Sequence, residues 1–314
     1  MEDFDFYPPK PELIEHKPKS NLSLTIFSLV MFVLAFLLIF GDELNFIGYL
    51  VVVLLIHEMG HFVMMKRFGY RNVRMLFIPL MGAFVQGQKT RYSTRQSFWV
   101  LIAGPFPGII IGCVLFWLAT TSPNLNWLTE PAVLFLLLNI INLLPLDPLD
   151  GGQMFKLLVK KNNEMFLMVF ALLSSLIVIA VGWLINSYLL MIFGFIMAFR
   201  VRALQKRYQL HKDLNEEAVN YATTYKLLSN RDFSKIKDVL LQHTPALRKF
   251  VNQTPTEESD PVMANQVNNV LVTPLEKDTS LFFRIVLVIS WLAAFFSPVI
   301  LYFVLGLKNY YDVI

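Results

Sequence analysis

The sequence predicts an all-helical polytopic membrane protein with about seven transmembrane helices and a small cytoplasmic helical region, and three observations carry that prediction. Hydrophobic residues make up 55% of the chain and charged residues only 16%, proportions unlike those of soluble domains. The mean hydropathy is +0.54. The apolar residues also fall in runs close to the ~20 residues a helix needs to cross a ~30 Å hydrocarbon core, rather than in stripes along amphipathic helices.

Taken in order, residues 1–20 are polar and mixed in charge, with Pro8, Pro9, Pro11 and Pro18, and read as an extended cytoplasmic tail without a fold. The transmembrane core is expected over residues 21–199. Its first span runs from about Leu22 to Phe40, too long for a signal-peptide core and without a small-residue cleavage site. The second runs from about Phe46 to Val63, the third from about Phe98 to Ala119 and the fourth from about Ala132 to Leu146. Met165 to Phe199 is almost wholly apolar, and as one straight helix it would reach ~50 Å, so it reads as two spans. Their turn is expected near Gly182 to Ser187, where Asn186 and Ser187 interrupt the run. Residues 200–280 form the cytoplasmic helical region, with an apolar pattern over Tyr221 to Leu241 and a Pro/Glu/Asp-rich break from Thr254 to Pro261. Residues 281–314 carry the last span, about Leu281 to Leu305, with Pro298 as a kink.

Basic residues set the orientation, because Lys and Arg concentrate on the cytoplasmic side. Lys66, Arg67, Arg71, Arg74, Lys89, Arg91 and Arg95 all lie between spans two and three, with no acidic residue among them. The opposite connections, Gly41 to Asn45 and Thr120 to Glu130, have neither Lys nor Arg. Lys156, Lys160 and Lys161 precede the Met165 run and Arg200, Arg202, Lys206 and Arg207 follow it, as a hairpin requires. The expected location is therefore a cell (inner) membrane, multi-pass, with the N-terminus cytoplasmic. These basic residues flank apolar segments, so the net charge of +4 points to the bilayer and not to nucleic acid. The single cysteine, Cys113, sits in an apolar run and excludes an intrachain disulfide or a cysteine-built metal site.

His57-Glu58-Met59-Gly60-His61 places two imidazoles four residues apart on one helical face, able to share an ion, with a carboxylate beside the first. Inside an apolar span such groups are costly, and functional by default. A catalytic zinc takes three protein ligands and a water, so a third ligand is needed. The segment Asn142-Leu-Leu-Pro-Leu-Asp147-Pro148-Leu-Asp150-Gly151-Gly152 closes the fourth span and offers two carboxylates, where Pro and Gly break the helix and let one turn back toward the ion.

HExxH in one span with Asn-x-x-Pro-x-x-Pro-Leu-Asp-Gly-Gly at the end of a later one resembles the site-2 protease family of intramembrane zinc metalloproteases. The resemblance covers roughly residues 46–155. It implies one zinc per chain held by His57, His61 and Asp150, Glu58 as catalytic general base, and Asn142 as a substrate-binding residue. It also implies that Met75 to Gln88 is a membrane-associated β-hairpin whose exposed edge pairs with an unwound substrate, and that Ala103-Gly104-Pro105 is the family's Ala-Gly-Pro motif. Two positions depart from the pattern: Gly108 stands where the family often has Asn, and Asp147 where it often has Pro. Asp147 precedes a proline, which favours extended backbone, and is expected to be a hydrated or supporting carboxylate rather than a ligand.

On this reading the partners are transmembrane protein substrates and the lipid bilayer. Rival classes are a membrane metal transporter, a CAAX-type membrane zinc protease and a catalytically inactive protease-like scaffold. A transporter needs ligands along a path, whereas His16, His211 and His243 lie outside the expected spans; the CAAX type uses a Glu on a later helix, and none follows Glu58 within a span. The intact set of His57, Glu58, His61 and Asp150 opposes the inactive scaffold.

Overall fold

The structure is a computed structural model that describes residues 7–14, 22–41, 43–79, 82–89, 91–158, 164–272, 275–276 and 278–311. His16, Lys160 and Lys161, which entered the reading above, lie outside the described residues. Among the described residues, seven helical segments are long and apolar enough to cross a membrane, so the chain is an integral, multi-pass membrane protein.

The spans follow the expected runs and extend past them. Helix α1 is Leu22–Phe40, and α2, Leu44–Arg67, runs four residues beyond Val63 and carries the HExxH residues. Strands β1 (Arg71–Ile78) and β2 (Gly82–Gln88) form the antiparallel hairpin, with Met75 opposite Val85 and Phe77 opposite Ala83. A two-residue strand β3 (Tyr92–Ser93) leads into the third span, which is two helices and not one: α3 (Thr94–Ala103) and α4 (Pro105–Thr121) meet at Gly104, because Pro105 cannot donate the bond that would continue α3. The fourth span is likewise earlier than expected, a 3-10 turn over Pro123–Leu128 followed by α5 (Thr129–Asn142). A new helix, α6 (Asp150–Leu158), starts at the carboxylate that the sequence reading placed in a turn.

The long apolar run is a hairpin of α7 (Glu164–Leu184) and α8 (Tyr188–Glu216), whose turn is Ile185-Asn186-Ser187. Gly194 and Ser175 let the two helices approach closely, since a Cβ on Gly194 would meet Ile179 at 2.6 Å. α8 leaves the span and continues into a polar unit with α9 (Asn230–His243), α10 (Pro245–Gln253) and α11 (Thr256–Val270). That unit has its own apolar core of Leu214, Phe233, Ile236, Val239, Met263 and Val267. The acidic break is shorter than expected: α11 starts at Thr256 and holds Pro261, with Glu257 and Glu258 in its first turn, where carboxylates favour a helix start. After β4 (Leu275–Glu276), which pairs in parallel with β3, α12 (Leu281–Tyr311) is the last span.

The N-terminal tail departs from the expectation of no fold. Residues 7–14 lie against the polar unit: the Lys10 ammonium donates to the Tyr225 carbonyl at 2.8 Å, the Tyr225 hydroxyl donates to the Pro11 carbonyl at 2.7 Å, and Leu13 packs on the unit's core. Burial, with the negative charge of Asp260 behind it, pushes the Tyr225 phenol up to about 12, which keeps it a neutral donor at every physiological pH. The six spans between tail and unit return the chain to the side from which it started.

Candidate metal centre

A single helical turn of α2 carries both imidazoles. Their period-of-four spacing aims them one above the other toward α3, α5 and α6, and His57, Glu58 and His61 are all buried. His57 Nε2 and His61 Nε2 are 3.2 Å apart, and each is 3.1 Å from Asp150 Oδ2. Ligand atoms held about 2.1 Å from one tetrahedral zinc stand about 3.4 Å from each other, so the three atoms have nearly the spacing of a metal site. His57, His61 and Asp150 form the cluster able to hold an ion among the described residues.

The outer nitrogens decide what the inner ones can do. His57 Nδ1 donates to Asn139 Oδ1 at 2.8 Å, and the Asn139 amide is itself oriented by donating to the Phe135 carbonyl at 2.7 Å. His61 Nδ1 donates to the Val100 carbonyl at 2.7 Å. With the ring protons committed to Nδ1, both Nε2 atoms present lone pairs to each other and to a carboxylate oxygen. Three acceptors converging on one point repel unless a cation lies among them. The donor set of two imidazoles and one carboxylate suits zinc, and leaves a fourth position open.

Glu58 is 4% exposed and its Oε2 has no hydrogen-bond partner among the described residues. It lies within electrostatic reach of His61, His57 and Asp150, and the Val85 backbone amide of β2 donates to its carboxylate. A buried carboxylate oxygen left unpaired is costly.

The hairpin beside Glu58 has its β1 edge covered by α1 and its β2 edge turned toward Glu58. Thr25 Oγ1 donates to the Met75 carbonyl at 2.7 Å, and the Phe77 amide donates to Ser28 Oγ at 3.2 Å, so α1 occupies the outer edge of β1. In an antiparallel pair, residues that point their polar groups outward on one strand face partners that do the same on the other. Val85 and Ala83 therefore present their backbone amides and carbonyls along the outer edge of β2, on the side of Glu58.

Of the sequence-derived site residues, the structure brings together His57, Glu58, His61 and Asp150. Asn142 ends α5, half-buried and outside the imidazole network. Of the two roles expected for Asp147, hydrated or supporting, its surroundings match the second: it is 2% exposed. Its Oδ1 pairs with Lys156, accepts from Gln153 Nε2 at 3.0 Å and lies 3.5 Å from Arg200 Nη1, while its amide donates to Ser174 Oγ at 3.0 Å. Asp147 thus fastens the Asp150 segment to α6, α7 and α8. Basic residues at the start and end of the adjoining segments draw a carboxylate inward where a proline turn alone would leave it outside.

Two contributors escaped the sequence reading. The Val100 carbonyl has no side-chain signature at all. Asn139 has one: an amide inside the apolar run of α5, which is costly in a span unless partnered. It also accounts for Gly108, because a Cβ there would lie 2.2 Å from Asn139 Nδ2. The polar group missing at Gly108 is supplied from α5 through the space that glycine leaves. The other two described histidines serve the polar unit, His211 with Glu164 and the Val270 carbonyl, and His243 with Asp213.

Residues 45–132 match the sequence profile of peptidase family M50. Over 114 residues the chain is 33% identical to stage IV sporulation protein FB of Bacillus subtilis, covering 36% of this chain and 39% of that protein. Over 116 residues it is 29% identical to a zinc metalloprotease of Methanocaldococcus jannaschii, covering 36% of this chain and 33% of that one. The chain thus spans well under half the length of these curated relatives. A solved structure, the site-2 protease from Methanocaldococcus jannaschii, aligns with 55% of this chain and 87% of its own at a TM-score of 0.43 and 23% identity.

Proposed function

We propose, from the premise that this chain carries a peptidase family M50 domain, that it is an intramembrane zinc metalloprotease cleaving transmembrane protein substrates, as in regulated intramembrane proteolysis. The observation that carries the reading is the convergence of His57 Nε2, His61 Nε2 and Asp150 Oδ2, all within 3.2 Å, beside Glu58, whose Oε2 has no hydrogen-bond partner among the described residues. When bound there, one zinc per chain supplies Lewis acidity that activates a water and polarises a carbonyl.

The chain's own residues do the rest. Asn139 and the Val100 carbonyl hold the two imidazoles as Nδ1–H tautomers, so the ring nitrogens facing the ion stay basic. Glu58 takes the proton of the attacking water and returns it to the leaving amine. A substrate helix hides its carbonyls and must unwind first. The outer edge of β2 offers it a strand partner, and α1 leaves no second edge for it on β1. Asn142, half-buried at the end of α5, is assigned to the substrate backbone. The basic loop between α2 and α3 supports a cytoplasmic N-terminus, an inner cell membrane, and a site toward the cytoplasmic side of the bilayer. The domain boundaries we assign are a tail at 1–20, the protease core at 21–199, the cytoplasmic unit at 200–280 and the last span at 281–314.

Glu58→Gln tests the assignment, because it removes the base and spares every ligand. Purified in detergent, this variant is expected to retain about one zinc per chain while cleavage of a membrane substrate slows ~10²–10⁴-fold. Near wild-type cleavage would remove Glu58 from the mechanism.

A further inference from the structure

The last span lies beyond the residues matched by the family profile, yet it reaches the segment that presents Asp150. Helix α5 ends at Asn142, and the carbonyls that follow a helix end have no partner within the helix. Leu143 is 0% exposed, so water does not reach its carbonyl. The Trp291 indole N–H of α12 donates to that carbonyl at 2.8 Å. Its ring packs on a cluster containing Phe98 and Ile102 of α3, Leu143, and Met154 of α6.

The other side of the same carbonyl faces Gly151, the neighbour of Asp150. A Cβ on Gly151 would lie 2.0 Å from Leu143 O, so the two backbones touch with nothing between them. A shift of the Leu143 carbonyl therefore moves Gly151, and Asp150 with it. Further along the chain, Asp278 accepts from the Ser93 hydroxyl and from the Arg95 amide at 3.1 Å, at the start of the helix whose Val100 carbonyl holds His61. Partial burial raises the Asp278 carboxyl, but the Ser93 hydroxyl and the Arg95 and Thr94 amides outweigh that and hold it below the ordinary carboxylate range, so it is ionised at neutral pH. The segment entering α12 thus braces both halves of the metal site.

We propose that Trp291 is a positioning residue for the metal site, fixing the Leu143 carbonyl and through it the placement of Asp150. The proposal rests on the metalloprotease reading for its kinetic readout, and on metal binding alone for the others.

The experiment uses the full chain in detergent and compares Trp291→Phe, which keeps a ring and removes the N–H, with Trp117→Phe on the outer face of α4. Zinc affinity is read by chelator competition, ligand geometry by the visible spectrum of the cobalt-loaded chain, and folding by thermal unfolding. Trp291→Phe is expected to bind zinc ~10-fold more weakly, to shift the cobalt spectrum and to lower kcat at unchanged KM, while Trp117→Phe matches wild type. Wild-type zinc affinity and spectrum in Trp291→Phe would overturn the proposal.

Should that variant not fold, Trp291 itself serves as the probe in a chain whose other four tryptophans, Trp99, Trp117, Trp127 and Trp183, are phenylalanine. Its fluorescence should shift reversibly as zinc is stripped and restored, and a constant emission would equally overturn the proposal. A wild-type chain that binds no zinc would sink the metalloprotease reading and this inference together, whereas zinc held equally by wild type and Trp291→Phe sinks only the inference.

Discussion

The spans and the polar unit differ in what they bury and in what they expose. Around the metal centre five polar groups, His57, Glu58, His61, Asn139 and Asp147, are buried among apolar ones, while Leu38, Phe106, Leu137 and Phe195 face outward. The polar unit has an apolar core, with Ile236, Met263 and Val267 inside, and a charged surface, with Lys212, Glu216 and Glu217 outside. Lipid is as apolar as leucine and gives the spans no hydrophobic reason to pack, so polar contacts and close backbone approach hold them together. Water gives the polar unit that reason. A substitution inside the spans should accordingly disturb chemistry first, and one inside the polar unit should disturb stability first.

The largest expected effect lies at the carboxylates near α6. Asp150→Asn keeps the shape and removes the charge that faces both imidazoles, so zinc affinity should fall by ~100-fold or more and cleavage with it. Asp147→Asn should weaken zinc only ~10-fold, since Asp147 acts by fastening α6 to α7 and α8 through Lys156, Ser174 and Arg200. Metal content after dialysis and cleavage rate rank the two. The reverse ranking would move the third ligand to Asp147 and break the assignment.

Next in size is Asn139. Asn139→Leu leaves the His57 Nδ1–H without an acceptor in a dry interior, so the ring is free to change tautomer or tilt. Zinc affinity should fall ~10–100-fold with little change in helix content by circular dichroism. Unchanged affinity would show that the imidazole is oriented by α2 alone.

The same contrast decides what the sequence made legible. The spans and the α7–α8 hairpin were readable because lipid demands long apolar runs, and the HExxH turn because two ligands on one helix share a local spacing. Asp150 needed the family resemblance, since two carboxylates three residues apart look alike until their surroundings are known. What was unreadable depends on contacts distant in sequence: Lys156 and Arg200 drawing Asp147 inward, the Val100 carbonyl beneath His61, and the tail clasped by Tyr225. The break at Gly104-Pro105 and the early end of α5 were blurred for a simpler reason, because hydropathy reports burial in lipid and not helix continuity.

The smallest expected effect on the metal centre is the one that most sharply tests the contrast. Ile236 is 0% exposed at the heart of the polar unit, on α9, away from every residue that touches the metal ligands. Ile236→Ala removes buried methyl groups and leaves a cavity, at a cost of about 2–5 kcal/mol. Because that core is a separate cluster from the ones lining the spans, the loss should stay within it: faster proteolysis of the segment between α8 and α12, with zinc affinity in detergent unchanged. The tail gives a second local readout, since Leu13 packs on the same core and Lys10 is held by the Tyr225 and Leu228 carbonyls. Cleavage by added protease near residues 7–14 should therefore rise together with cleavage between α9 and α11. If Ile236→Ala lowers zinc affinity as much as Asn139→Leu does, the two regions are one cooperative unit. The polar unit would then act on the metal centre through the tail and α1, or through β4 and α12, rather than fold beside it.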